Sequence, residues 1–74
     1  MKRKIKIGKR YRHFKGIIVE VILIAKDSED LHVVVVYKHD NDYWTRPLDE
    51  FLSEVDYTKY PNIKQKYRFE EISE

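Results

Sequence analysis

Cysteine is absent from the 74 residues. No disulfide can staple the fold and no thiolate can hold zinc, which fits a reducing compartment. Only Gly8 and Gly16 supply glycine, so neither a phosphate-cradling loop nor a dinucleotide fingerprint can be written with this chain. No Gly-x-Ser-x-Gly elbow surrounds Ser28, Ser53 or Ser73, and Thr45, Thr58 and the lysines sit in no nucleophile motif. No catalytic residue and no enzyme activity is expected, and no cofactor. Long apolar runs are also missing. The longest, residues 17–25, is interrupted by Glu20, is far too short to span a bilayer and precedes no small-x-small cleavage site. The expectation is a soluble, cytoplasmic protein without a membrane partner.

What is present suits a small globular domain. Hydrophobic residues make up 42% and aromatic residues 14%, with six Tyr, three Phe and one Trp. Large rings fill a small core with few residues, which matters where burial is marginal. Charged residues reach 38%, yet the net charge is only +2. The balance hides an asymmetry. Residues 1–15 carry eight Lys or Arg and no acid, while the remainder carries seven bases against thirteen acids. A basic head on an acidic body is the strongest global signal.

Along the chain, residues 1–10 alternate weakly at Ile5 and Ile7 and are expected to form a basic N-terminal arm or an edge strand. Residues 11–72 then form a single small β domain. Residues 11–15 read as a strand with Tyr11, His13 and Lys15 on one face and Arg12 and Phe14 on the other, closed by a turn at Gly16. Residues 17–26, rich in Val and Ile, read as a strand buried largely on both faces. A polar turn over residues 26–30 leads into a strand over residues 31–37, making a hairpin. After a loop over residues 38–42, residues 43–46 form a short strand in which Trp44 and Arg46 share a face.

Pro47 suits the first helical position, and Asp49 and Glu50 complement the helix dipole in the first turn. Leu48, Phe51, Leu52 and Val55 then make one apolar face of a helix over residues 47–54. Residues 55–57 read as a short strand, 58–66 as a loop and 67–72 as the closing strand. The fold class is mainly β: a small SH3-like β-barrel or a strongly bent antiparallel sheet with one short helix near residues 47–54.

The series Tyr11-Arg12-His13-Phe14-Lys15-Gly16, Glu20-Val21, Ile24-Ala25, Ser28-Glu29, Val35-Val36-Tyr37, Trp44-x-Arg46-Pro47-Leu48 with Phe51 and Val55, and Arg68-Phe69-Glu70 resembles the small bacterial proteins grouped as domain of unknown function 1653. The resemblance spans residues 9–72. It implies a compact β-barrel-like domain and no established activity. The chain departs from the family pattern at Ile18-Val19, where a Tyr is usual, in the glycine-free loop before Trp44, and in a longer tail over residues 57–66.

For function, Tyr11, Arg12, His13, Trp44 and Arg46 are the candidate binding residues. A Trp face beside guanidinium groups can hold a planar or anionic ligand. The alternative is structural: Trp44 in the core and Arg46 paired with Glu50 or Glu20. Lys2, Arg3, Lys4, Lys6, Lys9 and Arg10, with Tyr11 and Phe14 interleaved, form a second candidate that would grip phosphates and stack bases of a nucleic acid. A merely solubilising basic tail explains them equally well. His13, His32 and His39 lack metal-ligand spacing, and His39-Asp40-Asn41-Asp42 reads as a solvated hairpin turn rather than a calcium loop. No metal site is expected. The expected partner is a protein, a peptide or a small ligand, with nucleic acid as the alternative, and the expected state is a monomer or weak homodimer.

Overall fold

The structure is a computed structural model and describes residues 4–72. It has five strands and one helical turn: β1 (Arg10–His13), β2 (Ile18–Lys26), β3 (Val33–His39), β4 (Asp42–Pro47), α1 (Leu48–Phe51) and β5 (Phe69–Glu71). All strand pairs are antiparallel, in the order β4-β3-β2-β1-β5. The last strand therefore docks beside the first, and β4 and β5 are the two edges.

The sheet is open but strongly bent. Laid flat at the usual ~4.8 Å spacing, β4 and β5 would stand about 19 Å apart. Yet the Arg46 guanidinium of β4 lies 5.5 Å from the Phe69 ring centroid of β5. Of the two expected forms, the bent sheet is the one observed, because no ladder joins β4 to β5.

Alternation decides the core. Tyr11, Val19, Val21, Val35, Tyr37 and Phe69 all stand on the concave face, and Phe51 from α1 completes their cluster. In β2 the register shifts between Val21 and Leu23. That bulge changes the inward positions from odd to even: Val19 and Val21 are buried, Leu23 is exposed, and Ile24 packs on the core. The expectation that β2 is buried on both faces is thus corrected. Ile18 and Leu23 lie on the convex side, 40% and 44% exposed.

Turn chemistry sets the hairpins. His39 pairs with Asp42 across Asp40 and Asn41, whose φ of 52° and 69° are those of a type I′ turn, the form that matches strand twist. Gly16 (φ 96°) closes the β1–β2 turn and donates its N–H to the His13 carbonyl at 2.7 Å. Leu31, expected in a strand, instead sits in the β2–β3 turn at φ 63° and 65% exposed.

The helix is shorter than its apolar periodicity suggests. Pro47 is the residue before it (ψ 139°) rather than its first residue, and no side chain caps its N-terminus. Downstream, Arg68 donates to the Ser53 carbonyl and Glu54 forms a bridge with Tyr67. Those contacts draw the chain into extended pairing after one turn. Phe51 and Val55 are nevertheless buried and Leu48 and Leu52 pack on the core, so the four apolar positions face inward as expected. Residues 55–57 form no strand. Asp56 instead opens a turn, accepting from the Lys59 and Tyr60 amides.

The described part of the segment before β1 is tied to the body. Ile5 packs against the core, the Lys6 amide donates to the Tyr11 hydroxyl at 3.0 Å, and Gly8 and Lys9 exchange hydrogen bonds with Val21. Lys2 and Arg3 lie outside the described residues. Among the described residues, no helix is long and apolar enough to cross a membrane.

Candidate functional site

The sheet leaves a seam where its edges approach without joining, and that seam is a groove of about 380 Å³. Tyr37 and Val19 form its floor, Phe69 comes from one edge, and Trp44 and Arg46 come from the other. His13, Lys15 and Ile17 close it from the β1–β2 turn, and His39 from β3.

Trp44 and Arg46 share the concave face, as their spacing requires, standing opposite Tyr37 and Val35. Because β4 is an edge, nothing covers them completely. Trp44 is 49% exposed, with its indole N–H donating to the His39 carbonyl at 3.4 Å. The reading of Trp44 as a core residue is corrected accordingly. Arg46 is part-buried and reaches Glu50 only at 4.0 Å, while its Nε is fully buried without a hydrogen-bond partner. The expected pairing with an acid is present only as this long contact.

The five candidate binding residues separate. His13, Trp44 and Arg46 come together in the groove. Tyr11 lies beneath, 2% exposed, with its ring edge-on to Phe51, so its side chain has no surface to offer. Arg12 has the opposite parity, paired with Ile18 and Glu70, and belongs to the convex face. His13 is half-buried between Phe14, stacked at 4.4 Å, and Phe69, edge-on at 4.9 Å. Its Nδ1 accepts from the Lys15 amide, which assigns the neutral ring's proton to Nε2. Burial first, then the charges of Arg46, Lys15 and Arg68, hold the imidazole below its ordinary value of 6.5.

The family model for Protein of unknown function (DUF1653) matches residues 9–71. The chain belongs to the DUF1653 family. Neither a curated protein nor a solved structure matches it significantly. All the groove residues of this DUF1653 chain fall within the matched span.

A second basin adjoins the groove, sharing His13, Lys15 and Arg46 with it and adding Phe14, Asp56, Lys59, Tyr60 and Arg68. Sequence reasoning missed Lys15 and Arg68 as site residues. Arg68 lies 22 positions from Arg46 and out of phase with Phe69, so no local pattern marks it.

The described part of the basic head behaves differently from its appearance in sequence. Lys4, Lys6, Lys9 and Arg10 are exposed, but Lys6 pairs with Glu71 at 3.2 Å and Arg10 stands opposite Glu20. Folding thus brings acids of the body against bases of the head. Elsewhere, Asp27, Asp30 and His32 offer ligand atoms within 4.8 Å of one another. All three are exposed, and the two aspartates already accept from the Glu29 and His32 amides, so the turn itself accounts for the cluster.

Proposed function

We propose that this chain is a cytoplasmic, non-enzymatic binding module whose seam groove takes a small anionic ligand or an acidic peptide segment. The observation that carries this reading is Arg46. Its guanidinium is part-buried at the groove wall beside a half-exposed Trp44, and its buried Nε–H has no partner among the described residues. A buried, unpaired donor on a charged group costs stability unless something satisfies it. The accessible remainder of the guanidinium can hold a carboxylate or phosphate, while Trp44 and Tyr37 offer apolar surface for the ligand's body.

Titration of Trp44 fluorescence with benzoate tests this. Binding that is lost in Arg46→Gln is the expected result. An unchanged spectrum up to high millimolar benzoate refutes it.

A second reading, nucleic-acid binding through Lys2, Arg3, Lys4, Lys6, Lys9 and Arg10, draws on the exposure of the four described members of that set. It requires oligonucleotide affinity that falls steeply with salt. The pairing of Lys6 with Glu71 weakens it.

A further inference from the structure

The second basin differs in character from the groove. It encloses about 290 Å³ beside Arg46. Four cationic side chains line it, Lys15, Arg46, Lys59 and Arg68, together with His13 and a single acid, Asp56. That acid is engaged with its own turn. The Thr58 hydroxyl and amide both donate to Asp56, and these bonds hold its carboxyl below the usual range.

The decisive feature is that Arg68 repeats the condition of Arg46. Its Nε is also fully buried and also lacks a hydrogen-bond partner. Two guanidinium groups from distant parts of the chain thus line one basin, each with an unanswered N–H. With each Nε packed into the wall, a guanidinium presents its paired terminal Nη–H groups, which match two oxygens of an oxyanion. Asp56 and the long Glu50 contact offset only part of four positive charges, so a dianion suits the basin better than a single carboxylate.

The basin is also built to hold its shape. Phe14 packs on Tyr60 at 4.9 Å, and the Lys15 ammonium lies 5.4 Å from the Tyr60 ring. Gln65 donates to both the Arg12 and Tyr67 carbonyls at 2.9 Å, tying the 56–66 loop to β1. The Phe14 amide donates to the Arg68 carbonyl.

We infer that this basin is an oxyanion subsite for a phosphate monoester, and that the module's ligand is a small phosphorylated aromatic compound, its ring in the Trp44 groove and its phosphate between Arg46 and Arg68. The inference rests on the groove being a binding site, and it adds the charge, the phosphate and the second arginine.

The test compares phenyl phosphate, benzoate and inorganic phosphate by NMR titration of the intact chain, its Arg68→Gln variant and its Lys59→Ala variant. Lys59 is exposed, so its variant keeps the fold. Phenyl phosphate is expected to bind roughly tenfold or more tightly than benzoate, the scale of one charge-assisted hydrogen bond. That advantage should vanish in Arg68→Gln and shrink in Lys59→Ala, with benzoate affinity falling less than phenyl phosphate affinity in both. Inorganic phosphate should perturb the Arg68 and Lys59 resonances of the parent. No preference for phenyl phosphate, or a preference that survives both variants, overturns the subsite. Loss of benzoate binding alone, with phosphate still dependent on Arg68, overturns the ring placement and leaves the phosphate site standing. A phosphotyrosine peptide that binds far more tightly than phenyl phosphate overturns the small-molecule assignment.

Discussion

Phe51 and Phe69 stack face to face, with ring centroids 4.1 Å apart and planes 4° from parallel. One ring comes from the helical turn after β4 and the other from the strand that closes the sheet beside β1. Tyr11 and Tyr37 meet Phe51 at 5.4 and 5.9 Å, so this pair joins both edges of the sheet to its middle. Both rings are buried in the core cluster, and Phe69 also lines the groove.

Phe51→Ala is therefore expected to lose about 3–5 kcal/mol of stability, the cost of a large cavity in a filled core. Trp44→Ala, at a half-exposed edge position, is expected to lose less than about 1 kcal/mol. Urea unfolding of the two variants measures the contrast. Equal midpoints would show that the helical turn is not part of the core.

Leu31 occupies a left-handed conformation, at φ 63°, and its side chain is 65% exposed. An L-residue with a Cβ carries roughly 1–2 kcal/mol of strain there, and glycine carries none. Leu31→Gly is expected to raise stability by about 0.5–1 kcal/mol after glycine's unfolded-state entropy is counted. The measurement is a rise in thermal midpoint.

His13 gives the fold a pH dependence. Its folded value lies below 6.5, chiefly through burial, with Arg46, Lys15 and Arg68 adding to the effect. Between the folded value and 6.5 the unfolded chain binds a proton that the folded chain refuses, so stability rises with pH through that window and falls on acidification. His32, raised by its hydrogen bond to Asp30, works in the opposite direction from an exposed turn. Just below pH 6.5, the slope of stability against pH should shrink in His13→Gln and remain in His32→Gln. Occupation of the basin by phosphate should raise the His13 titration midpoint, read from its ring resonances.

Truncation separates two parts of the basic segment. Removal of residues 1–4 leaves the core packing of Ile5 and the Lys6 bond to Tyr11 in place and is expected to leave stability nearly unchanged. Removal of residues 1–7 removes the packing of Ile5, the bond from the Lys6 amide to Tyr11 and the Lys6–Glu71 pair. The longer deletion is expected to cost about 2 kcal/mol, most of it from Ile5. Circular dichroism with urea titration distinguishes the two.

Much of this architecture is legible in residue order because its causes are local. The valine run of residues 33–36 marks a strand by its β-branching, and the two-residue spacing of a strand placed Trp44 and Arg46 on one face. Asp40-Asn41 suits a tight turn because both residues tolerate positive φ. Phe51 faces inward because its spacing from Leu48 and Val55 is helical, although the helix itself stops early. What alternation cannot give is which face is concave, where a sheet ends, or which distant strand comes alongside. Tyr11 is core rather than ligand surface because β5 and α1 close over it. Trp44 is half-exposed because β4 happens to be an edge. The bulge at residue 22 reverses parity without any mark in composition. Arg46 and Arg68 line one basin only because β5 returns beside β1 and the sheet bends until its edges approach. Local sequence determined the main strands, the 39–42 turn and the common face of Trp44 and Arg46. The long-range pairing and the curvature, which depend on non-local contacts among buried rings, decided that an open seam exists and that its charges converge there.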